Sequence, residues 1–288
     1  MNGKKKKLRW PVIKGQELTE MDRIILAAQE RGKMVPSREL IKTPEQIEGI
    51  RRAGVVNTGI LDMLTTEIHA GMTTQAIDDL VAEYTAAHGA TSACLGYEGF
   101  PRSCCTSVNE VVCHGIPNDW EVLRNGDIIN VDCTTILDGY YADASRMYIV
   151  GGKTTKARQK LVDVAWECLK IGEAVCSRPY VYVGDIGNAI QKFAHKHGFS
   201  VVRDLAGHGV GLAFHEEPDI DHYGKKGTGM LLVPGMVFTI EPMINTGTYE
   251  VFCDEEDGWT VVSEDELPSA QWEHTFVMTE HGVEVLTH

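Results

Sequence analysis

Two aspartates in one apolar stretch are the first residues of this sequence whose types and spacing could do chemistry. Residues 129–146 are rich in apolar and β-branched side chains and are interrupted at Asp138-Gly139, a dipeptide favoured in two-residue hairpin turns. With that turn at the tip, Asp143 faces Thr134. Asp132 shares the sheet face of Thr134, because side chains alternate between faces with period two. The two carboxylates then lie within roughly 8 Å of each other as diagonal neighbours.

Two carboxylates on one face of an apolar hairpin repel each other unless a positive charge lies between them. A divalent metal ion is the simplest such charge. The alternative is a solvated hairpin that carries two surface acids. The hairpin alone leaves both interpretations open.

Three further segments place metal-type side chains in unusual settings. Residues 207–211 put His208 among glycines, where the backbone can approach a ligand closely, and His215 follows an aromatic residue. Glu241 ends one apolar strand-like run and Glu273 begins another, where burying a carboxylate is costly unless it is paired or metal-bound. Each residue has an ordinary structural explanation. Together with the two aspartates they favour a site for two divalent metals of the Mn, Fe, Co or Zn type.

The elements that must position these residues follow from capping signals and apolar spacing. Threonine caps, a proline at a first helical position and His-Gly terminators predict helices over residues 19–31, 43–67, 73–88, 154–175 and 184–197. Strand-like runs precede and include the hairpin and recur at residues 199–203, 231–244 and 272–279.

The order helix, helix, strands therefore occurs twice, over residues 44–150 and 154–280. This indicates an internal duplication in an α+β fold, with both helix pairs on one face of an antiparallel sheet. A site fed by both halves would lie on the other face, near the pseudo-twofold axis. We expect one catalytic domain over residues 41–288, preceded by an N-terminal extension over residues 1–40.

Composition narrows the class of protein. A chain of 288 residues with 43% hydrophobic and 24% charged residues is typical of a globular protein. A net charge of −14 disfavours DNA binding, and no run approaches the ~20 apolar residues of a membrane span. The eight cysteines include no C-x-x-C pair and follow no secretory signal, so we expect them reduced and buried, in a cytoplasmic protein.

The extension carries a run of four lysines, at residues 4–7, and one of the predicted helices. We expect it to wrap the main domain. The lysine run is interpreted as a solvated tail, and the alternative is an anchor for an anionic partner such as ribosomal RNA.

Seven short segments occur in a compatible order and spacing, at residues 111–117, 130–132, 142–145, 207–211, 214–218, 239–242 and 269–275. They resemble the signature segments of type I, bacterial-like methionine aminopeptidases, and the resemblance covers about residues 40–288. That family has a pseudo-symmetric α+β fold called the pita-bread fold, which agrees with the repeat described above. The short stretch between His215 and Glu241 leaves no room for the long helical insertion of type II enzymes.

The resemblance implies five metal ligands. Asp143 and Glu273 would bridge two divalent ions, Co, Mn, Fe or Zn. Asp132 would hold one ion, and His208 with Glu241 would hold the other.

The same resemblance implies roles in the reaction. A metal-acidified bridging water would attack the first peptide carbonyl, with Glu241 as its general base. His215 would hydrogen-bond the developing oxyanion and His114 the scissile amide nitrogen. The free amine of the substrate would bind on the Asp132 side, which restricts cleavage to the terminal residue.

The resemblance also implies a methionine pocket of aromatic and sulfur side chains, namely Cys94, Tyr97, Phe100, Cys105, Phe214 and Trp259. Phe100 stands where the family often has Tyr, which leaves the pocket apolar. A monovalent-cation site would be formed by Asn109, Val111 and Ser269. The extension lacks the paired Cys and His of a zinc-binding extension, so a ribosome contact through it would be of another kind.

The expected activity is removal of N-terminal methionine from nascent chains whose second residue is small, by a monomer. The nearest alternative is an Xaa-Pro aminopeptidase or prolidase, which resembles this domain but carries a large domain ahead of it. A second alternative is a non-catalytic pita-bread binding protein. Such relatives lose metal ligands, whereas all five positions here retain competent side chains.

Overall fold

The computed structural model describes Trp10 and residues 17–288, and four of its five α-helices begin at a threonine cap. The fourth helix follows Thr155 instead of the predicted Thr154, and the fifth has Tyr182 at this position. Thr19, Thr43, Thr73 and Thr155 each accept a hydrogen bond from a backbone N–H in the first turn of the helix that follows. All five predicted helices are confirmed with small shifts at their ends, as α1 Glu20–Glu30, α2 Pro44–Glu67, α3 Thr74–Ala87, α4 Lys156–Val175 and α5 Val183–Lys196. Short 3₁₀ turns lie at Arg38–Leu40, Tyr97–Gly99 and Val150–Gly152.

The strands are more numerous and shorter than the sequence predicted. In chain order they are β1 Thr91–Ser92, β2 Cys105–Val108, β3 Val111–Cys113, β4 Ile128–Leu137, β5 Tyr140–Ile149, β6 Ser200–Val201, β7 Gly207–Gly209, β8 Glu216–Ile220, β9 Val237–Ile240, β10 Met243–Asn245, β11 Val251–Cys253, β12 Val261–Ser263, β13 Ser269–Gln271, β14 Glu273–Thr279 and β15 Gly282–Val285.

The strands form a nine-stranded sheet and two small ones. The large sheet has the order β1-β4-β5-β14-β9-β7-β8, with β2 added beside β4 and β15 beside β14. The small sheets have the orders β13-β10-β6 and β11-β12-β3. All the paired strands run antiparallel, which confirms the α+β class.

The predicted strand over residues 231–244 was wrong in extent. Residues 237–240 belong to the large sheet and residues 243–245 to a small one, with Glu241 and Pro242 between them. Proline has no N–H to donate to a sheet ladder, so the run breaks there. The apolar run around Glu273 divides in the same way at Trp272, into β13 and β14. Both predicted carboxylates therefore lie where the chain leaves one sheet for another.

The hairpin of β4 and β5 has the predicted register. Asp138 and Gly139 both have positive φ, 53° and 83°, as a two-residue turn of type I′ requires. Thr134 pairs with Asp143, and Asp132 pairs with Ser145. The two aspartates therefore lie on one face of the hairpin.

The helices cover the face opposite the aspartates. Ile60, Leu61 and Leu64 of α2 share a buried cluster with Ile129 and Val131, which point away from Asp132. In the second half, α4 approaches β9 so closely that a Cβ on Gly172 would lie 2.9 Å from the Ile240 side chain. The two helix pairs thus leave the other face of the sheet free for a site.

The described part of the extension packs on the second half. Trp10 and two α1 residues, Ile25 and Ala28, belong to the same buried cluster as α4 and α5. The lysine run at residues 4–7 lies outside the described residues, so its role stays a prediction. The division of the chain near residue 40 stays a prediction.

Two expectations from composition concern cysteines and membranes. All eight cysteines are free and seven are buried as predicted, whereas Cys253 is exposed. Within the described residues, no helix combines the length and the apolarity that crossing a bilayer requires.

Candidate metal centre

A cavity of about 640 Å³ lies on the sheet face that the helices leave free, and the five predicted ligands line it together. The strand register explains the convergence. Asp132, Ser145 and Glu273 form one row across β4, β5 and β14, and Asp143 lies two residues from Ser145 on the same face. His274 pairs with Ile240, which brings Glu241 beside Glu273.

Three of the five side chains can reach one ion in their present positions. Asp143, His208 and Glu273 each offer a ligand atom, and these atoms lie within 4.8 Å of one another. His208 Nε2 lies 3.6 Å from Asp143 Oδ2 and 3.7 Å from Glu241 Oε1. Asp132 completes the row from the neighbouring strand.

Burial makes this group of carboxylates unfavourable as free anions. It raises the pKa of Asp132 to about 7 and that of Glu241 to about 8. The pKa values of Asp143 and Glu273 are raised well above the ordinary range, first by burial and then by the neighbouring acids. A bound divalent cation would reverse this penalty, so the donor set fits a metal centre.

His208 presents the correct nitrogen to such a centre. Its Nδ1 lies 3.0 Å from the Gly209 carbonyl oxygen, which can only accept, so Nδ1 carries the hydrogen. Burial lowers the pKa of His208 to about 4, which keeps the ring neutral. The lone pair of Nε2 therefore faces the carboxylates. Metal-binding histidines are commonly oriented in this way, by donating the other ring N–H to a backbone carbonyl.

Three residues that the sequence did not single out hold Glu241. Thr239 Oγ1 donates to Glu241 Oε1 at 2.7 Å and accepts from the His208 N–H at 3.0 Å. Gln271 Nε2 donates to Glu241 Oε2 at 3.2 Å, and the Glu241 N–H donates to His222 Nε2 at 3.0 Å. Both carboxylate oxygens of Glu241 are therefore oriented by the protein.

Thr239 could have been found, because it lies two residues before Glu241 and shares its strand face. Thr134, which the hairpin register already placed opposite Asp143, donates to Asp143 Oδ1 at 2.8 Å. Gln271 lies within the segment 269–275 that the sequence analysis identified, although nothing local pointed to its contact with Glu241. His222 gave no local signal, since only the tertiary fold brings it to Glu241.

The two other predicted histidines line the same cavity. His215 Nδ1 lies 2.9 Å from the Tyr97 hydroxyl, and its ring stacks on Phe214 with centroids 4.3 Å apart. His114 has a positive φ of 57°, and burial lowers its pKa to about 4. Both side chains are available as neutral hydrogen-bonding groups, because burial also lowers the pKa of His215.

The six predicted methionine-pocket residues also line the cavity: Cys94, Tyr97, Phe100, Cys105, Phe214 and Trp259. Cys94, Phe100 and Cys105 form a buried cluster against which Phe214 and Trp259 pack. The Phe100 and Trp259 rings meet edge to face at 5.2 Å. Ile116 joins this cluster and was missed by the sequence analysis. One end of the cavity is thus apolar and rich in sulfur.

The residues predicted for a monovalent cation lie elsewhere. Asn109, Val111 and Ser269 do not line the cavity. The Asn109 carbonyl accepts the Ser269 N–H at 2.9 Å, so these two residues are neighbours. The cation site stays a prediction.

Comparison with known proteins places this architecture in a family. The model of metallopeptidase family M24 matches residues 48–280. Methionine aminopeptidase A of Synechocystis is 54% identical over 243 residues, which cover 84% of this chain and 94% of that protein. Methionine aminopeptidase of Escherichia coli is 47% identical over 248 residues, covering 86% and 93% respectively.

Solved structures agree. The crystal structure of methionine aminopeptidase from Rickettsia prowazekii matches with a TM-score of 0.84 and 47% identity, over 86% of this chain and 99% of that one. Prolidase from Pyrococcus furiosus matches with a TM-score of 0.69 and 22% identity, over 86% of this chain and 65% of that one, and so shares the fold alone. The pita-bread fold predicted from the sequence is confirmed. The chain belongs to metallopeptidase family M24 and, within it, to the methionine aminopeptidases.

Proposed function

We propose that this protein is a metal-dependent hydrolase that removes the N-terminal methionine from polypeptides whose second residue is small. The observation that carries the proposal is the set of side chains that line one cavity. Its carboxylate and histidine side chains lie beside a buried cluster of sulfur and aromatic side chains that suits a methionine side chain.

Asp132, Asp143, His208, Glu241 and Glu273 would hold two divalent ions of the Co, Mn, Fe or Zn type. When bound, such ions lower the pKa of a water molecule and polarise the substrate carbonyl.

The residues of the chain would then perform three tasks. Glu241, oriented by Thr239 and Gln271, takes the proton from the attacking water. His215 has Nδ1 occupied by the Tyr97 hydroxyl, which leaves Nε2 to donate to the carbonyl oxygen. His114 hydrogen-bonds the scissile amide nitrogen.

Substrate selection has two parts in this proposal. The free amine of the substrate binds on the Asp132 side, so that only the terminal residue is removed. A bulky second residue would crowd the carboxylate face of the cavity, so Gly or Ala is favoured there.

The proposal also covers the natural substrates, the cellular location and the domain division of the protein. The substrates are nascent polypeptide N-termini, and the protein acts as a cytoplasmic monomer. For the lysine run at residues 4–7 we keep two alternatives, a solvated segment and an anchor for ribosomal RNA. Asn109, Val111 and Ser269 would hold a monovalent cation. Residues 41–288 would form the catalytic domain and residues 1–40 its extension.

The test is release of methionine from Met-Gly-Met-Met and from Met-Leu-Met-Met, by chelator-stripped protein and by protein refilled with Co, Mn, Fe or Zn. We expect release from the first peptide only, and only with metal. Cleavage of an Xaa-Pro peptide instead would favour the prolidase alternative. That alternative has less support, because the chain is 22% identical to a solved prolidase and 47% identical to methionine aminopeptidase of Escherichia coli. If neither the methionine peptides nor the Xaa-Pro peptide is cleaved, the result would favour the non-catalytic binding protein.

A further inference from the structure

A buried ion pair lies behind the turn that carries two residues of the proposed site. The Lys42 ammonium contacts the Glu216 Oε2, and the two side chains are only 1% and 13% exposed. Lys42 lies in the segment between the Arg38–Leu40 turn and α2, before the residues that the family model matches. Its own N–H donates to the Gly235 carbonyl at 2.8 Å, which fixes its backbone to the domain.

The other oxygen of Glu216 holds the turn itself. Glu216 Oε1 accepts the N–H of Leu212 at 2.7 Å and that of Ala213 at 3.0 Å. The same residue pairs with Gly209 in the ladder of β7 and β8. Glu216 therefore ties Lys42, the turn and the strand that bears His208 to one another through charge-assisted hydrogen bonds.

The turn leads directly into the site. Gly211 has a φ of 134°, and a Cβ at this position would lie 2.4 Å from the Ile50 side chain, so the backbone is held tightly against α2. Phe214 and His215 follow at once and both line the cavity. A displacement of residues 211–213 would move the Phe214 ring in the methionine pocket and the His215 ring beside it.

We infer that Lys42 is a positioning residue: it fixes the Glu216 carboxylate and, through it, the turn at residues 211–213 that presents Phe214 and His215 to the substrate. This inference rests on the function proposed above. Burying an ammonium and a carboxylate together is seldom a net gain in stability over apolar side chains, so stability alone does not explain the pair. The position of the Lys42–Glu216 pair behind the turn at residues 211–213 explains it better, because there the pair can hold the turn in place.

The test replaces Lys42 with methionine, which keeps the length of the side chain and removes its charge. We expect kcat for methionine release from Met-Gly-Met-Met to fall by about 10- to 100-fold, since small misplacements of positioned groups cost that much. Metal content should stay at the wild-type level, because Lys42 contacts none of the proposed ligands. The matched control is Lys33→Met, whose ammonium donates to the surface carbonyl of Gly227, and it should change kcat less than about two-fold.

A double variant separates positioning from stability. Lys42→Met leaves a buried carboxylate unpaired and should lower the melting temperature, whereas Lys42→Met combined with Glu216→Leu removes both charges and should restore it. We expect kcat to remain low in the double variant, because no side-chain oxygen at position 216 then accepts the N–H groups of Leu212 and Ala213. If kcat recovers together with the melting temperature, Lys42 acts only on stability and the inference is wrong.

A readout without turnover keeps this inference separate from the proposed function. Hydrogen exchange at the amides of Leu212 and Ala213 should be at least ten-fold faster in Lys42→Met than in the wild-type protein, while the amides of α2 keep their rates. Unchanged exchange at those two amides would overturn the inference even if the protein releases methionine. Faster exchange in a protein with no peptidase activity would uphold the mechanical link and reject the proposed function instead.

Discussion

Glu241, the proposed base, shows at the scale of one residue how the fold orients a buried carboxylate. Thr239 and Gln271 donate to its two oxygens, and burial raises its pKa to about 8. A carboxyl group with such a pKa is largely protonated at neutral pH unless a cation binds beside it. Bound metal would therefore be needed to make Glu241 a base.

Replacing Glu241 with glutamine should remove the proposed base while keeping a side chain of the same size. We expect kcat/KM for Met-Gly-Met-Met to fall by at least about 10²-fold, the usual contribution of a general base. Glu264→Gln, at an exposed glutamate outside the cavity, is the control and should keep wild-type activity. Full turnover by Glu241→Gln would remove this residue from the mechanism.

His114 and His208 should respond differently to truncation, although both line the cavity. His114→Ala should lower kcat by roughly 10- to 100-fold and leave metal binding intact, because its proposed role is a hydrogen bond to the substrate. His208→Ala should lose metal affinity, since its Nε2 faces the carboxylates. Metal titration by calorimetry and peptide assays on both variants would check this. Loss of metal from His114→Ala would show that its role is misassigned.

At the scale of elements, the hairpin that bears the two aspartates is fixed from behind by α2. Asn57 Nδ2, which has two hydrogens, lies within hydrogen-bond distance of the carbonyl oxygens of Cys133, on β4, and Ala142, on β5, and of the hydroxyl of Thr135. Asn57 is fully buried, so one helical side chain bridges the two strands across the helix–sheet interface. This bridge therefore joins α2 to both of the strands that carry the aspartates.

Truncation of Asn57 should therefore destabilise the fold. Asn57→Ala leaves two buried carbonyl groups without this donor, at a cost of about 2–3 kcal/mol in the free energy of unfolding. Thermal unfolding followed by circular dichroism should show a melting temperature lower by roughly 5–10 °C. Val55→Ala, at an exposed position of the same helix, should change the melting temperature by less than about 2 °C. Equal stability of the two variants would contradict the bridge.

For the whole molecule, the buried acids couple metal binding, stability and pH. In the metal-free protein, burial raises the pKa of Asp132 to about 7 and that of Glu241 to about 8, against unfolded values near 4. Through these two groups the folded state binds more protons than the unfolded state between those values. Below about pH 6.5 the buried histidines, such as His208 with its pKa lowered to about 4, act in the opposite direction. The metal-free protein should consequently lose stability as the pH rises from about 6.5 to about 8.

Metal should offset this loss, so its stabilising effect should grow with pH. We expect the rise in melting temperature on adding Mn or Co to be larger at pH 8 than at pH 5.5, since protons compete with the metal at the lower pH. Differential scanning fluorimetry of stripped and refilled protein at both values would measure it. A metal-induced shift that is equal at both values, or smaller at pH 8, would contradict the assignment of these carboxylates as ligands.

The helix starts and the register of the hairpin could be predicted from the local sequence. Four of the five helices could be placed from threonine caps, because a capping side chain and the apolar spacing of one helix face are properties of neighbouring residues. The pairing of Thr134 with Asp143 followed from the turn at Asp138-Gly139, since a two-residue loop fixes the register of a hairpin. The seven acids and histidines that the motifs predicted for the site all line one cavity.

Only the tertiary structure decided which residues support that chemistry. The breaks at Glu241 and Trp272 arise where the chain passes between sheets, which a continuous apolar run does not reveal. Gln271 reaches Glu241 and Lys42 reaches Glu216 across 30 and 174 positions of the chain. Such contacts depend on how strands and helices pack against one another, and no local spacing in the sequence encodes that packing.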